Sequence, residues 1–149
     1  MVCEIMPGIW LGNECDMNNE RFLSSKNISC IINVTRDIQH NKNYAGEKIR
    51  IPVDYPVQNL SSKINTVLYD YLSDVSEFIK KKNNSFNSVL VICDNGEQRS
   101  ASVICAYLIR YGKVTADVSI KYLVSKASNA FSDGVYFYYA LKKFENRYK

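Results

Sequence analysis

The stretch VLVICDNGEQRSAS, residues 89–102, joins an apolar run to a short polar loop and then to a segment with few helix breakers. The run VLVI is typical of a central strand in a sheet that is covered on both faces. Gly96 allows a tight or left-handed turn in the loop. The stretch therefore predicts a buried strand, a tight loop and a helix beginning near Arg99 and Ser100.

More strands and helices are predicted on both sides of this stretch. Apolar residues recur every three or four positions over residues 61–82, which predicts a helix with Ser61 or Ser62 as its N-cap. Short apolar or alternating runs predict strands, and further helical segments follow. The strand segments are 9–11, 30–34 and 48–53, and the helical segments begin after Thr115 and Asp133. Strands mixed with helices indicate an α/β domain whose central sheet is flanked by helices.

Length and composition favour one globular domain over residues 1–149. The chain is 46% hydrophobic and 23% charged, and this length suits a single core. No apolar stretch approaches the roughly 18 residues of a membrane span. The amino terminus does not resemble a secretory signal. We expect a cytoplasmic protein, small enough for diffusion into the nucleus, that is neither secreted nor bound to a membrane.

Charge and residue counts exclude several kinds of site. The net charge of +4 is spread along the chain apart from the run Lys80, Lys81, Lys82, so nucleic-acid binding is disfavoured. The five cysteines are irregularly spaced without CxxC pairs, and they indicate neither a disulfide framework nor a zinc site. His40 is the single histidine, which argues against a histidine-based triad or a multi-histidine metal centre. We expect no metal and no cofactor.

The loop after the apolar strand has the composition of an anion site. A loop that enters a helix presents unpaired N–H groups and the positive end of the helix dipole. Arg99 could hold two oxygens of a phosphate in its planar fork while Cys93 lies beneath the phosphorus. This environment favours the thiolate, the form that attacks. The alternative is an inert Cys93 thiol, with Arg99 in a surface ion pair.

Over nearly its whole length the chain resembles the cysteine-dependent protein tyrosine phosphatase superfamily, specifically its small, atypical dual-specificity phosphatases. The segments that carry the resemblance occur in the family's order: IWLGN, IINVT, IPV, QNLS, CDNGEQRS, AYLI and LKKFE. The resemblance implies a central, mixed and mostly parallel sheet flanked by helices. It also implies hydrolysis of phosphate monoesters through a phosphocysteine intermediate, without a metal.

Residue roles follow from the same resemblance. Cys93 would be the nucleophile, Arg99 would stabilise the transition state, and Ser100 would stabilise the leaving thiolate. The backbone amides of the CX5R loop would hold the phosphoryl oxygens, and they belong to Asp94, Asn95, Gly96, Glu97, Gln98 and Arg99.

Two positions depart from the family pattern. Ile92 precedes the nucleophile where the family usually has histidine, so Cys93 is expected to be less ionised and slower at neutral pH. The general acid falls on Tyr55 when counted forward from IPV and on Asp54 when counted back from NLS. Asp54 is the favoured acid because a tyrosine is too weak to replace a carboxylic acid. A solvated Asp54 without a role is the alternative.

The loop also indicates the substrate. Asp94 and Glu97 at the rim would repel polyanions, which favours a phosphorylated protein over an inositol lipid. A chain of this length leaves room for a shallow cleft that admits phosphotyrosine, phosphoserine and phosphothreonine. Two alternatives stay open: an inactive pseudophosphatase that binds phosphorylated protein, and an RNA 5′-phosphatase.

Overall fold

The computed structural model describes residues 2–55, 61–84 and 86–149. It contains five strands, β1 (Cys3–Met6), β2 (Ile9–Gly12), β3 (Ile28–Asn33), β4 (Glu47–Arg50) and β5 (Ser88–Ile92). Six helices are described, α1 (Glu14–Met17), α2 (Glu20–Ser25), α3 (Ser61–Lys82), α4 (Arg99–Gly112), α5 (Ala116–Lys126) and α6 (Tyr138–Arg147).

The strands form one sheet in the order β1-β2-β5-β3-β4. Only the β1–β2 pair among these strands is antiparallel, and β2, β5, β3 and β4 run parallel. The apolar β5 lies at the centre, as its sequence predicts. Gly12 and Asn33 both pair with Ile92, so the carboxyl ends of β2, β3 and β5 meet at one edge of the sheet. This mixed, mostly parallel sheet confirms the predicted fold class.

Side chains of β5 alternate between two apolar clusters because successive residues of a strand point to opposite faces. Val89 and Val91 belong to the larger cluster, which α3, α4, α5 and α6 cover. Leu90 and Ile92 belong to a smaller cluster that includes Met17 of α1. Helices therefore flank both faces of the sheet, as predicted.

The long helices agree with the apolar periodicity of the sequence. In α3 the fully buried side chains include Leu68, Leu72 and Ile79, spaced by four and seven residues. The predicted N-cap is wrong, because Ser61 and Ser62 both lie inside α3. Residues 58–60 of the QNLS segment lie outside the described residues.

α4 is the central helix of the larger layer, and its residues from Arg99 to Ile109 are all buried. α3, α5 and α6 pack around it. Arg99 is the first residue of α4, so the packing of this helix in the core holds its backbone in place. Within residues 2–55, 61–84 and 86–149, no helix has both the length and the apolar character needed to cross a bilayer.

Candidate active site

The loop between β5 and α4 packs closely on the end of β2. Gly96 has a φ of +76°, and a Cβ at this position would lie 3.0 Å from the backbone oxygen of Gly12. A side chain here would face both an unfavourable backbone conformation and a close contact with a rigid neighbour. Glycine therefore lets the loop curl at the carboxyl edge of the sheet, as the sequence predicts.

Cys93 lies at the base of this loop, with only 1% of its surface exposed. Its Sγ atom is 3.1 Å from Ser100 Oγ and accepts a 3.5 Å hydrogen bond from the Ser100 backbone N–H. Both groups belong to the first turn of α4, where the helix dipole favours negative charge. The hydroxyl, the amide and the helix end can all stabilise a thiolate on Cys93.

Arg99 is buried, with 4% of its surface exposed, and its ion-pair partner Asp94 is about half exposed. Its Nη1 donates a 2.8 Å hydrogen bond to the backbone oxygen of Val53, and its Nη2 lies 3.3 Å from Asp94 Oδ1. Within the part of the chain that the structure describes, its Nε has no acceptor. A buried charged donor without an acceptor is costly, so Nε is suited to an incoming anion.

Two amides of the loop donate to side chains of the loop itself. The Asn95 N–H donates to Asp94 Oδ1 at 2.8 Å, and the Glu97 N–H donates to Asn95 Oδ1 at 3.0 Å. Asp94 Oδ1 therefore contacts both a loop amide and the guanidinium of Arg99. A phosphoryl group held by these same donors would have to displace these side chains.

Gln98 ties the loop to the segment before α6. The side chain is buried, donates from Nε2 to the Gly134 oxygen at 2.7 Å and accepts from the Tyr136 N–H at 3.1 Å. Glu97 strengthens the same connection by accepting the Ser132 hydroxyl at 2.9 Å. Sequence reasoning assigned Gln98 only a backbone role, because its partners are more than 35 residues away along the chain.

The two candidates for the general acid point to different partners. Asp54 Oδ1 accepts a 2.9 Å hydrogen bond from Arg36 Nε, and both side chains are 61% exposed. The Tyr55 ring instead lies against Arg99, with 5.5 Å between the ring centroid and Cζ. Burial, followed by the nearby Tyr136 and several acidic groups, raises the pKa of the Tyr55 hydroxyl. Tyr55 is thus an even weaker acid than free tyrosine.

Ile92 has a packing role in the position before Cys93. It is fully buried beside Met17, Leu23 and Leu90, and its backbone oxygen accepts the Val34 N–H at 2.8 Å. The side chain belongs to the cluster on the α1–α2 face of the sheet. Ile92 thus contributes no polar group to the loop.

The other described titratable clusters do not form a second chemical centre. Burial raises the pKa of Cys30 and of Cys105 to about 12, so both are inert thiols of the core. Among residues 2–55, 61–84 and 86–149, no three or more His, Cys, Asp or Glu side chains are grouped so that they could hold a metal ion.

Comparison with known proteins identifies the family. The family model described as "Dual specificity phosphatase, catalytic domain" matches residues 9–147. The chain therefore belongs to the dual-specificity phosphatase catalytic-domain family, a group of small phosphatase domains within the protein tyrosine phosphatase superfamily.

Two curated relatives illustrate the range of the family. The protein phosphatase Slingshot homolog of Xenopus laevis is 30% identical over 125 residues, which cover 84% of this chain and 17% of that protein. The dual specificity protein phosphatase 1 of Arabidopsis thaliana is 27% identical over 124 residues, which cover 82% of this chain and 58% of that protein. The chain thus spans less than two thirds of the length of either relative.

Solved structures show the same fold. Human DUSP28 has a TM-score of 0.82 at 22% identity, with 98% of this chain and 93% of that chain covered. The human tyrosine phosphatase-like serine/threonine/tyrosine-interacting protein has a TM-score of 0.81 at 21% identity, with coverage of 99% and 97%. At this level of identity the likeness shows the fold alone.

Proposed function

We propose that residues 1–149 form one catalytic domain that hydrolyses phosphotyrosine, phosphoserine and phosphothreonine in proteins through a phosphocysteine intermediate. The observation that carries this proposal is the contact between Cys93 and Ser100, with 3.1 Å between Sγ and Oγ. It joins a buried sulfur to a hydroxyl at the start of α4. The buried Arg99 beside it has an Nε that finds no acceptor among the described residues.

In the first step the Cys93 thiolate attacks phosphorus, and the bond to the substrate oxygen breaks. Arg99 and the loop amides stabilise the charge on the transferring phosphoryl oxygens. Asp54 is the proposed proton donor to the leaving oxygen. Because Asp54 contacts Arg36, we expect the acid to exchange this partner for the substrate oxygen during the reaction.

In the second step water attacks the phosphocysteine, and inorganic phosphate and the Cys93 thiolate are released. Asp54, now ionised, would accept a proton from this water. Ser100 would stabilise the departing sulfur through its hydroxyl and its amide. Every proposed proton and electron movement uses a protein side chain or water, so the proposal includes no metal and no cofactor.

A phosphorylated protein is the proposed substrate class. Asp94 and Glu97 place two carboxylates on the loop, and these would repel the neighbouring phosphates of inositol lipids or of RNA 5′ ends. A single phosphate monoester on a protein avoids much of this repulsion. Release of phosphate from a short 5′-triphosphorylated RNA remains a direct test of the RNA alternative.

The second candidate function is a pseudophosphatase that binds phosphorylated protein without useful turnover. Two observations favour it: Asp54 contacts Arg36, and Ile92 provides no polar group next to Cys93. Such a domain would retain the buried Arg99 and the loop amides. It would therefore still bind phosphate or vanadate.

The active phosphatase and the pseudophosphatase are distinguished by an activity assay. The assay measures turnover of an aryl phosphate and of a phosphotyrosine peptide from acid to mildly alkaline pH. We expect hydrolysis that Cys93→Ser abolishes and that a metal chelator leaves unchanged. Retained vanadate binding without hydrolysis at any pH would establish the pseudophosphatase instead. Cys15→Ser is the matched control, because Cys15 is an exposed free cysteine in α1.

A further inference from the structure

Gln98 comes immediately before Arg99, and its side chain makes two hydrogen bonds to one distant segment of the chain. Nε2 donates to the Gly134 oxygen at 2.7 Å, and Oε1 accepts the Tyr136 N–H at 3.1 Å. Only 2% of the surface of Gln98 is exposed. Both ends of this buried amide therefore have a partner in the segment that precedes α6.

These hydrogen bonds take the place of a helix cap. Gln98 is the N-cap of α4, and its side chain makes no cap hydrogen bond. Ser, Thr, Asp and Asn are the favoured N-caps, because their side-chain oxygens reach the first amides of a helix. The longer side chain of Gln98 reaches Gly134 and Tyr136 instead. Its contribution is therefore to the packing of the loop and not to the helix end.

The segment that binds Gln98 is itself held by α3. Asn65 of α3 is buried, donates from Nδ2 to the Tyr136 oxygen at 3.0 Å and accepts the Ala140 N–H at 2.9 Å. The backbone of Tyr136 is thus bound through its N–H by Gln98 and through its carbonyl by Asn65. This backbone is therefore a fixed partner for Gln98.

From these contacts we infer that Gln98 is a positioning residue for Arg99. The inference rests on the proposed function and adds a residue to it. Arg99 Nη1 donates to the Val53 oxygen at 2.8 Å, which holds the far end of the side chain. Gln98 holds the backbone end, and its own carbonyl accepts the Ser102 N–H in the first turn of α4 at 2.9 Å. Arg99 is thus held at both ends before an anion binds.

The orientation of the Arg99 guanidinium matters most in the transition state. Preorganised donors stabilise a transition state when they already lie where its charge develops. A small displacement of a positioned group can lower a rate by about a hundredfold. Loss of the Gln98 hydrogen bonds should therefore weaken transition-state binding more than binding of a phosphate in its ground state.

Binding of two inorganic anions compares these states without turnover. Vanadate bonded to the Cys93 sulfur takes the trigonal-bipyramidal shape of the transferring phosphoryl group, whereas phosphate stays tetrahedral. Gln98→Met has a side chain of similar size and removes both hydrogen bonds. We expect it to weaken vanadate binding by about tenfold to a hundredfold and phosphate binding by less than about threefold. The anion-induced shift of the thermal midpoint measures both affinities.

Turnover provides a second readout of the same effect. With an aryl phosphate as substrate, Gln98→Met should lower kcat by about the factor that it removes from vanadate affinity. KM should change by less than about threefold, because ground-state binding depends less on the orientation of Arg99.

Gln98→Asn is the second variant, and it keeps the test valid if Gln98→Met does not fold. Asparagine is a favoured N-cap, so α4 should stay stable. Its side chain is one methylene shorter, so the amide cannot reach Gly134 and Tyr136 together. We expect the same selective loss of vanadate affinity with an unchanged or higher thermal midpoint. A purely structural role of Gln98 would not produce this combination.

Asn41→Leu is the matched control. Asn41 is buried, donates to the Met17 oxygen at 3.1 Å and accepts the Asn43 N–H at 2.9 Å. It makes the same kind of amide contact as Gln98, but beside Met17 of α1 on the other face of the sheet. The variant should lower the thermal midpoint and leave the ratio of vanadate to phosphate affinity at the wild-type value.

The outcomes distinguish the inference from the proposed function. Equal losses of affinity for the two anions, or unchanged affinities in both Gln98 variants, would overturn the inference. A wild type that binds vanadate and hydrolyses no phosphate ester would overturn the proposed function. A selective loss of vanadate affinity in the Gln98 variants would still support the positioning of Arg99 in that case. A wild type that binds neither anion would overturn both.

Discussion

The hydroxyl oxygen of Ser100 lies 3.1 Å from the sulfur of Cys93, and the amide of Ser100 donates to the same sulfur at 3.5 Å. One residue at the start of α4 thus supplies two polar groups to a buried thiol. Hydrogen bonds to a charged atom stabilise it more strongly than those to a neutral one. The arrangement is suited to a sulfur that departs as a thiolate.

Ser100→Ala should slow hydrolysis of the phosphocysteine by about tenfold to a hundredfold, because a hydrogen bond to a charged group contributes roughly 1.5–3 kcal/mol. Formation of the intermediate should be less affected, so stopped-flow records with an aryl phosphate should show an initial burst of product. Ser102→Ala is the control, since the buried Ser102 hydroxyl has no partner within the described part of the chain. If Ser100→Ala turned over at the wild-type rate and showed no burst, Ser100 would have no role in stabilising the departing sulfur.

Asp54→Ala should reduce turnover much more for esters with poor leaving groups than for an activated aryl ester, because only poor leaving groups need a proton in the transition state. Tyr55→Phe should have little effect on either. The measurement is kcat/KM across a series of aryl phosphates of increasing leaving-group pKa. The reverse pattern would assign the acid to Tyr55.

Arg36→Gln tests the contact that holds Asp54. Removing the guanidinium leaves the Asp54 carboxyl free to turn toward the leaving oxygen of the substrate. We expect kcat/KM for aryl phosphates with poor leaving groups to rise, because the acid no longer has to leave Arg36 before it donates its proton. Arg21→Gln, in α2 on the other side of the sheet, is the charge-matched control. Equal kcat/KM values for Arg36→Gln, Arg21→Gln and the wild type would show that the ion pair has no influence.

Asp94→Asn should tighten vanadate binding by about twofold to fivefold, the range expected from one partly exposed ion pair. The Asp94 carboxylate contacts Arg99 Nη2 and the Asn95 amide, and both groups are proposed ligands of the phosphoryl oxygens. Glu97→Gln removes a loop charge whose carboxylate contacts Ser132 instead of Arg99. Affinity is measured as the inhibition constant of vanadate. An equal increase in vanadate affinity in Asp94→Asn and Glu97→Gln would indicate only a general charge effect.

Glu145 links stability to pH. Its carboxylate accepts the Ala116 N–H at the start of α5 at 2.8 Å, and this hydrogen bond, aided by Lys142, lowers its pKa. A carboxyl whose pKa is lower in the folded state stabilises the fold above its usual value of about 4.3. This contribution is lost as pH falls through the lowered value.

The thermal midpoint of the wild type should therefore decrease more steeply below about pH 4.5 than that of Glu145→Gln, and the variant should be less stable at pH 7. Glu77→Gln is the control, because Glu77 is an exposed carboxylate of α3. Parallel decreases in the midpoints of wild type and Glu145→Gln would contradict the link.

The parts of the fold that the sequence predicted have strong local signals. Residues 61–82 follow the helical period over six turns, and VLVI between polar segments is typical of a central strand. Three short elements, β1, α1 and α2, were not predicted, because four to six residues rarely establish a period. The capping box of Asn13 and Asp16 was a local signal that could have located α1.

In the candidate site, too, contacts between residues close in sequence could be predicted, and contacts between distant segments could not. Cys93, Gly96 and Ser100 are close in sequence, so the strand, loop and helix bring them together in a predictable geometry. The contacts of Arg36 with Asp54 and of Gln98 with Tyr136 join residues 18 and 38 positions apart. Such pairs depend on how whole segments pack, and no local pattern encodes them.

Rapid quenching of the enzyme during turnover, followed by mass spectrometry of the peptide that contains Cys93, tests the proposed chemistry most directly. We predict a phosphoryl group on Cys93 that accumulates in Ser100→Ala and is absent in Cys93→Ser. Continued turnover in Cys93→Ser, or turnover without any phosphoryl group on Cys93 in Ser100→Ala, would contradict the phosphocysteine mechanism.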